Sequence, residues 1–272
     1  MVTQRDIQEA LRQLGLREGD TVLFHSSLRS FGVVDGGADA VIDAFLATVG
    51  DSGTVAVPTL CSRDFQDAYR SWHMDKPSDV GYITEVFRCR PNARRSDQAT
   101  HSLAAIGASA DALTATHGQR GRRIGIYGDT PFAADSPWQK LYDMNAKVVM
   151  VGVGYEAFTL RHLCEYILVE TALRYADDKD AYDRYRPFIC TFEDRPRQSD
   201  TLFWPYIDHE RFEEYIRKHR FNTEVTCGEA TLSMVRCRDV CAPIMKEAYA
   251  DPTGWFAPNA ARWFNEIKGL MK

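Results

Sequence analysis

Lys147-Val-Val-Met-Val-Gly-Val-Gly154, followed by Thr159-Leu-Arg-His162-Leu-Cys-Glu165, is the stretch on which the fold turns. The apolar run ending in glycine reads as a buried strand. A tight turn and a helix over residues 158–176 follow it. A strand feeding a helix in this way is the unit of a layered α/β fold, and it places His162 near the strand's carboxyl end. His162 and Glu165 are three apart and share a helix face. A carboxylate beside an imidazole orients the ring and stabilises its protonated form. Cys164 lies between them, but adjacent helix positions are about 100° apart, so it reads as a small packing residue.

The pattern repeats on the N-terminal side. Residues 3–14 form an amphipathic helix, with Thr3 as cap and Ile7, Leu11 and Leu14 at helical spacing. Asp20-Thr-Val-Leu-Phe-His25 reads as a strand, residues 26–32 as a turn, and residues 38–49 as a helix after Gly36-Gly37. Gly53-Thr-Val-Ala-Val-Pro-Thr59 is the next strand. Residues 61–78 lack periodicity and read as a long loop, of the kind that often covers a site. A helix over 80–90, a strand over 100–107 and a helix over 111–116 follow. Ser136-Pro137 starts another helix, with serine as cap and proline in the first turn. Beyond 176 the chain becomes more polar and aromatic, from Asp177-Asp-Lys-Asp180 onward. Strands over 188–193 and 230–235 and helices over 208–219 and 237–250 are expected there. No Gly/Ser-rich linker intervenes. Residues 1–272 are therefore expected to form one domain, with 177–272 extending the same α/β fold.

The totals narrow the class. The chain has 272 residues, 44% hydrophobic and 26% charged, as expected of a globular protein with a sizeable core. A net charge of −5 argues against a nucleic-acid partner. No apolar run reaches membrane-spanning length, and Met1-Val-Thr-Gln-Arg-Asp does not resemble a signal peptide. The seven cysteines are odd in number and scattered, without a Cys-x-x-Cys, so reduced thiols and a cytoplasmic location are expected.

Several clusters can carry chemistry. His25-Ser26-Ser27-Leu28-Arg29-Ser30-Phe31-Gly32 leaves a strand, and its backbone amides, hydroxyls and arginine make a phosphate cradle or simply a capping turn. Arg94-Arg95-Ser96 and Thr100-His101-Ser102 form a second polar cluster. Asp79, Glu85, Asp129 and Asp135 are carboxylates that can hold a cationic group or serve as solvated acids and caps. His162 and Glu165, with His101 or His25, also leave open a metal-dependent hydrolase, although no recognised ligand spacing supports it.

Taken in order, these segments resemble the aminoglycoside 3-N-acetyltransferase family, or antibiotic N-acetyltransferases. The series is His25-Ser-Ser-Leu28, Gly53 to Thr59, Pro77-Ser-Asp-Val-Gly81 with Glu85-Val-Phe-Arg88, Arg95-Ser96 and Thr100-His-Ser-Leu-Ala-Ala-Ile-Gly107. It continues through Thr130-Pro-Phe132, Ser136-Pro137 and Lys140-Leu141 to Lys147–Gly154 and Thr159-x-x-His162-x-x-Glu165. The resemblance runs to about Glu170 and is weaker beyond. It implies an α/β/α sandwich with a mixed central sheet, and transfer of acetyl from acetyl-coenzyme A to the 3-amino group of an aminoglycoside. By that resemblance His162 is the general base with Glu165 beside it. Ser26, Ser27, Leu28, Arg29, Ser30, Phe31, Gly32, Ser96, Thr100, Ser102 and Leu103 would line the coenzyme A site. Asp79, Glu85 and Asp135 would face the acceptor, with no metal required. The implied partners are a small-molecule amine and acetyl-coenzyme A, without nucleic acid or membrane. No oligomeric state is implied.

The chain departs from the family at three places. Pro58-Thr59-Leu60-Cys61 stands where Pro-Thr-Phe-Thr is usual, and Gln98-Ala99 where His-Pro is usual. Arg161-His162-Leu163-Cys164-Glu165 replaces Leu-His-Leu-Ala-Glu. These departures bear on the acceptor rather than on acetyl transfer. A same-family enzyme acting on a different, biosynthetic amine is the nearest alternative, and a binding protein without turnover is another.

Overall fold

The computed structural model describes residues 1–61, 63–176 and 179–269. Its strands are β1 (Thr21–Ser26), β2 (Thr54–Pro58), β3 (Arg94–Arg95), β4 (Leu103–Gly107), β5 (Lys147–Val151), β6 (Thr223–Cys227) and β7 (Ala230–Arg236). They form a mixed sheet in the order β3-β4-β2-β1-β5-β7-β6. β1 runs parallel to both β2 and β5, and the other pairings are antiparallel. The helices are α1 (Gln4–Leu14), α2 (Gly37–Val49), α3 (Phe65–Arg70), α4 (Tyr82–Arg88), α5 (Ala110–Thr114) and α6 (Pro137–Asp143). They continue with α7 (Leu160–Tyr175), α8 (Lys179–Tyr185), α9 (His209–Lys218), α10 (Cys237–Ala250) and α11 (Pro258–Gly269).

Strand alternation builds two cores. Val22 and Phe24 of β1, with Val149 and Val151 of β5, face a cluster made with α1, α2 and α4. Phe24 stacks on Phe45 of α2 at 4.2 Å between ring centroids. Leu23, Val148 and Met150 face the opposite cluster, made with α5, α6, α7, α10 and α11. Helices on both faces of a mixed sheet give the expected α/β/α sandwich. A strand buried on both sides must be apolar at nearly every position, which is why 147–151 reads as an unbroken run. Helix α7 buries Leu163, Cys164, Leu168, Val169 and Ala172 in the same cluster as Val148 and Met150, packed also against α10 and α11.

The expected caps are present. Thr3 and Asp6 form a reciprocal capping box on α1, and Ser136 caps α6 by accepting from the Gln139 amide. Three expectations fail. The loop over 61–78 contains the short helix α3. The strand expected over 100–107 begins only at Leu103, because the backbone amides of Thr100 and His101 turn inward to the Gln98 side chain. Residues 188–193 form no strand; the backbone there makes a short 3-10 turn and a single bridge, Ile189 to Phe203. Of the polar stretch after 176, Asp177 and Asp178 lie outside the described residues. The segments beyond it return to the same sheet, since β7 pairs with β5 along its length.

Chain direction at the end of β5 depends on one glycine. Gly152 has φ 61°, in the left-handed region, and an added Cβ would overlap Ser30 Oγ. Ser30 is pinned there by its hydrogen bond to the Ser27 carbonyl, 2.7 Å. Alanine at Gly37, with φ 58° and open space around the added carbon, is expected to cost about 1 kcal/mol. Alanine at Gly152 is expected to cost about 1–3 kcal/mol more, because strain and overlap combine. Urea denaturation of the two variants measures the gap; equal losses would dismiss the contact with Ser30.

Candidate active site

The carboxyl ends of β1 and β5 lie side by side, with His25 opposite Met150 and Ser26 opposite Val151. Open α/β sheets place their clefts at such ends. A cavity of about 340 Å³ opens there, with His25, Ser26, His101, Tyr127, Thr159 and His162 among its lining. A second cavity, of about 730 Å³, lies on the far side of His162, toward α9 and the residues around Gly254. His162 and Tyr127 line both cavities, so their rings form a shared wall, 5.0 Å apart between centroids.

His162 Nδ1 lies 2.9 Å from Glu165 Oε2, the i, i+3 geometry expected on α7. Glu165 is completely buried. Its Oε2 also accepts from Trp204 Nε1 at 3.1 Å, and its Oε1 accepts from the Ile207 amide at 3.0 Å. An ionised carboxylate only accepts, so its partner at Nδ1 is an N–H. That fixes the neutral tautomer of His162 with the Nε2 lone pair free. Trp204, Tyr206 and Ile207 were not legible as site residues. Their only sequence signal is the aromatic run Phe203-Trp-Pro-Tyr-Ile207, far from His162 in the chain.

Two further histidines meet His162 across the first cavity. The His101 ring lies 6.3 Å from that of His162, and its Nδ1 is 2.9 Å from Thr100 Oγ1. Burial pushes its basicity well below the ordinary histidine range, and the neighbouring His162, His117 and Arg195 add to the effect. His25 Nε2 is buried without a hydrogen-bond partner, and burial depresses its pKa to about 4. Among the described residues, no group of three or more His, Cys, Asp or Glu is disposed to hold a metal ion.

The residues singled out in the sequence divide between cavity and scaffold. Ser26 lines the first cavity. Leu28–Phe31 form a short 3-10 turn ending at Gly32, with Phe31 buried, Arg29 exposed and the Ser27 amide donating to the Val151 carbonyl. Ser96, Thr100, Ser102 and Leu103 are fully buried and belong to neither lining. The Ser102 hydroxyl donates to the Thr59 carbonyl, that of Thr100 to Gln98 Oε1, and Ser96 Oγ accepts from the Leu103 amide. Gln98 organises this cluster, its Oε1 serving the 100–101 turn and its Nε2 donating to Tyr69 and Thr130. Arg95 donates to the Met74, Lys76 and Thr59 carbonyls and lies over Trp72, so it is part of the scaffold.

The three acids lie outside both linings. Asp79 Oδ2 accepts from the Arg63 amide. Glu85 pairs with Arg88 and accepts from the Ser78 amide, and the Arg88 hydrogen bond holds its pKa near 2. Asp135 accepts from the amides of Gly118 and Arg120. Cys164 is buried in the core. Arg161, beside His162, lines the second cavity.

Buried neutral histidines set a pH dependence. His117 also has a pKa of about 4, chiefly from burial; its Nε2 lies 2.9 Å from the Pro131 carbonyl and its Nδ1 2.8 Å from Ser96 Oγ. As pH falls from 6.5 toward 4, the unfolded chain takes up protons at His25 and His117 that the folded chain refuses. Stability is therefore present above pH 6.5 and lost on the way down to 4, by about 1.4 kcal/mol per pH unit for each histidine. Chemical denaturation between pH 7 and 4.5 measures the slope, and His117→Gln is expected to flatten it. An unchanged slope would exclude His117 as a source.

A sequence profile described as aminoglycoside 3-N-acetyltransferase matches residues 23–247. Aminoglycoside N(3)-acetyltransferase VII of Streptomyces paromomycinus is 34% identical over 194 residues, covering 65% of this chain and 64% of that protein. The match spans less than two thirds of the length of the first curated relatives. Among solved structures, the apoenzyme of aminoglycoside acetyltransferase AAC(3)-IVa superposes with a TM-score of 0.69 at 21% identity, covering 96% of each chain. AAC-IIIb in binary complex with CoASH gives 0.67 at 18% identity, covering 94% of this chain and 98% of that one. At these identities the superpositions establish the fold.

Proposed function

The chain belongs to the aminoglycoside 3-N-acetyltransferase family, and on that premise we propose that it transfers acetyl from acetyl-coenzyme A to a primary amine, with His162 as general base. The observation that carries the reading is the buried couple of His162 and Glu165, which leaves the Nε2 lone pair of His162 on a wall shared by two cavities. Acetyl-coenzyme A supplies an acetyl thioester, whose carbonyl carbon is the electrophile. The cavity at the ends of β1 and β5 suits it. Ser26 and His25 line that cavity, and residues 27–32 lead away from it. Thr100 and Ser102 flank His101, which lines the same cavity.

An ammonium cannot attack, because its lone pair is occupied. His162 Nε2 takes a proton as the amine nitrogen bonds to the carbonyl carbon, and Glu165 holds the resulting imidazolium. When the carbon–sulfur bond breaks, the same proton passes to sulfur. One amide and one thiol result, and no acyl-enzyme is needed. Cys164, the only nucleophile beside the couple in sequence, is buried in the core.

The names of the relatives from Streptomyces paromomycinus and Micromonospora chalcea point to the 3-amino group of an aminoglycoside as the acceptor. A second reading, an amine that is not an aminoglycoside, is favoured by one observation: the Arg161 guanidinium lines the cavity beyond His162, directly beside the base. The test is thiol release from acetyl-coenzyme A across aminoglycosides and other amines. His162→Ala is expected to lower kcat by about 10²–10⁴ with the KM for acetyl-coenzyme A little changed. Equal turnover by wild type and variant would dismiss His162 as the base.

A further inference from the structure

Arg161 is the residue of this chain that acetyl transfer to a polycation leaves unexplained. It precedes His162 on α7 and lines the same cavity toward α9. One Nη donates to the Ile207 carbonyl at 2.7 Å, while its Nε is buried with no hydrogen-bond partner. Ile207 is held at its other end by Glu165, which accepts from its amide. The guanidinium is thus held by the residue whose amide completes the carboxylate's shell. Arg195 adds a second positive group. Its guanidinium lies 4.4 Å over the Phe65 ring and 5.8 Å over that of Tyr127, both lining the first cavity.

The three carboxylates at these cavities, Glu165, Asp208 and Glu156, are hydrogen-bonded elsewhere. Glu165 is fully engaged by its three donors. Asp208, which lines the second cavity, is exposed and caps α9 through the Arg211 amide. Glu156, at the first cavity, accepts from the Gly154 amide. Among the described residues, no carboxylate forms a salt bridge with Arg161 or Arg195. A polycationic acceptor entering here meets a fixed cation beside the base. An anionic group meets a guanidinium that forms no ion pair among the described residues, and its planar fork matches a carboxylate or phosphate.

We propose that the acceptor is an amine that also carries an anionic group, a carboxylate or a phosphate, which Arg161 holds in the α9-side cavity while the amine reaches His162 Nε2. This rests on the acetyl-transfer reading and names its acceptor class. The acid fixes the substrate's orientation, and the neutral amine is then presented to the imidazole.

The experiment uses matched pairs of amines: an amino-sugar phosphate with its unphosphorylated sugar, an ω-amino carboxylate with its methyl ester, and an aminoglycoside. Thiol release gives kcat and KM for each, and calorimetric titration into protein saturated with coenzyme A gives binding without turnover. The anionic member of at least one pair is expected to exceed its neutral counterpart about tenfold or more in kcat/KM, and which pair responds identifies carboxylate or phosphate. Arg161→Gln is expected to abolish that preference, chiefly through the acceptor KM, with the neutral member and acetyl-coenzyme A changed less than about threefold. Arg161→Lys, which keeps the charge, is expected to restore part of it. Preference for the aminoglycoside, a uniform loss on all amines in Arg161→Gln, or a raised KM for acetyl-coenzyme A would each overturn the proposal. Absence of thiol release with every amine would instead remove the acetyl-transfer reading, and the titrations would still decide whether Arg161 binds the acid.

Discussion

A carboxylate buried without solvent is stable only when protein donors replace the water it has lost. Glu165 meets that condition with three of them, from His162, Trp204 and Ile207. Much of the architecture around the site follows from it. The imidazole is held in one tautomer and one orientation. The segment through Trp204 and Ile207 is tied to α7, and its Ile207 carbonyl is set to receive Arg161. Removing any one donor would leave charge in a dry interior, so the couple and the wall it supports form a single unit.

The opposite side of the first cavity is built on the same economy. Gln98 turns residues 100–101 inward, and the Ser96–His117 pair closes the space beneath β4. Tyr127 is held at both ends of its backbone: its amide donates to the Tyr166 hydroxyl, and its carbonyl accepts from the Tyr69 hydroxyl. Polar side chains of this region bond to one another and to the backbone, leaving His25 Nε2 and Arg161 Nε as the buried side-chain atoms without partners among the described residues. Both belong to residues that line cavities meeting at His162.

The sequence made the central strands and the His162–Glu165 pair legible because both are local. A doubly buried strand must be apolar throughout, and three residues along a helix is a fixed geometry. Caps at Thr3 and Ser136 are local as well. What was illegible depends on distance in the chain. Trp204 and Ile207 reach Glu165 only through the tertiary fold. A strand is expected over 188–193, but the segment finds a single bridge, Ile189 to Phe203, in place of a ladder. The sequence reading leaves β6 and α11 unassigned; β6 is an edge strand, largely exposed, and lacks a two-faced pattern. Asp79, Glu85 and Asp135 show the converse. Their side-chain types suit a cation, yet backbone amides and Arg88 engage them away from the cavities.

The sheet order also bears on how the chain is made. β5 gains β1 on one edge as soon as it is synthesised, but its other edge belongs to β7. Until the ribosome has carried the chain from Val151 to Ala230, that apolar strand presents an unpaired row of backbone groups, the kind of edge that recruits foreign strands. Helix α7 emerges first and covers a face of the sheet, not its edge. The interval before β7 arrives is therefore the aggregation-sensitive stage of biosynthesis, and the late strand acts as the chain's own edge protector.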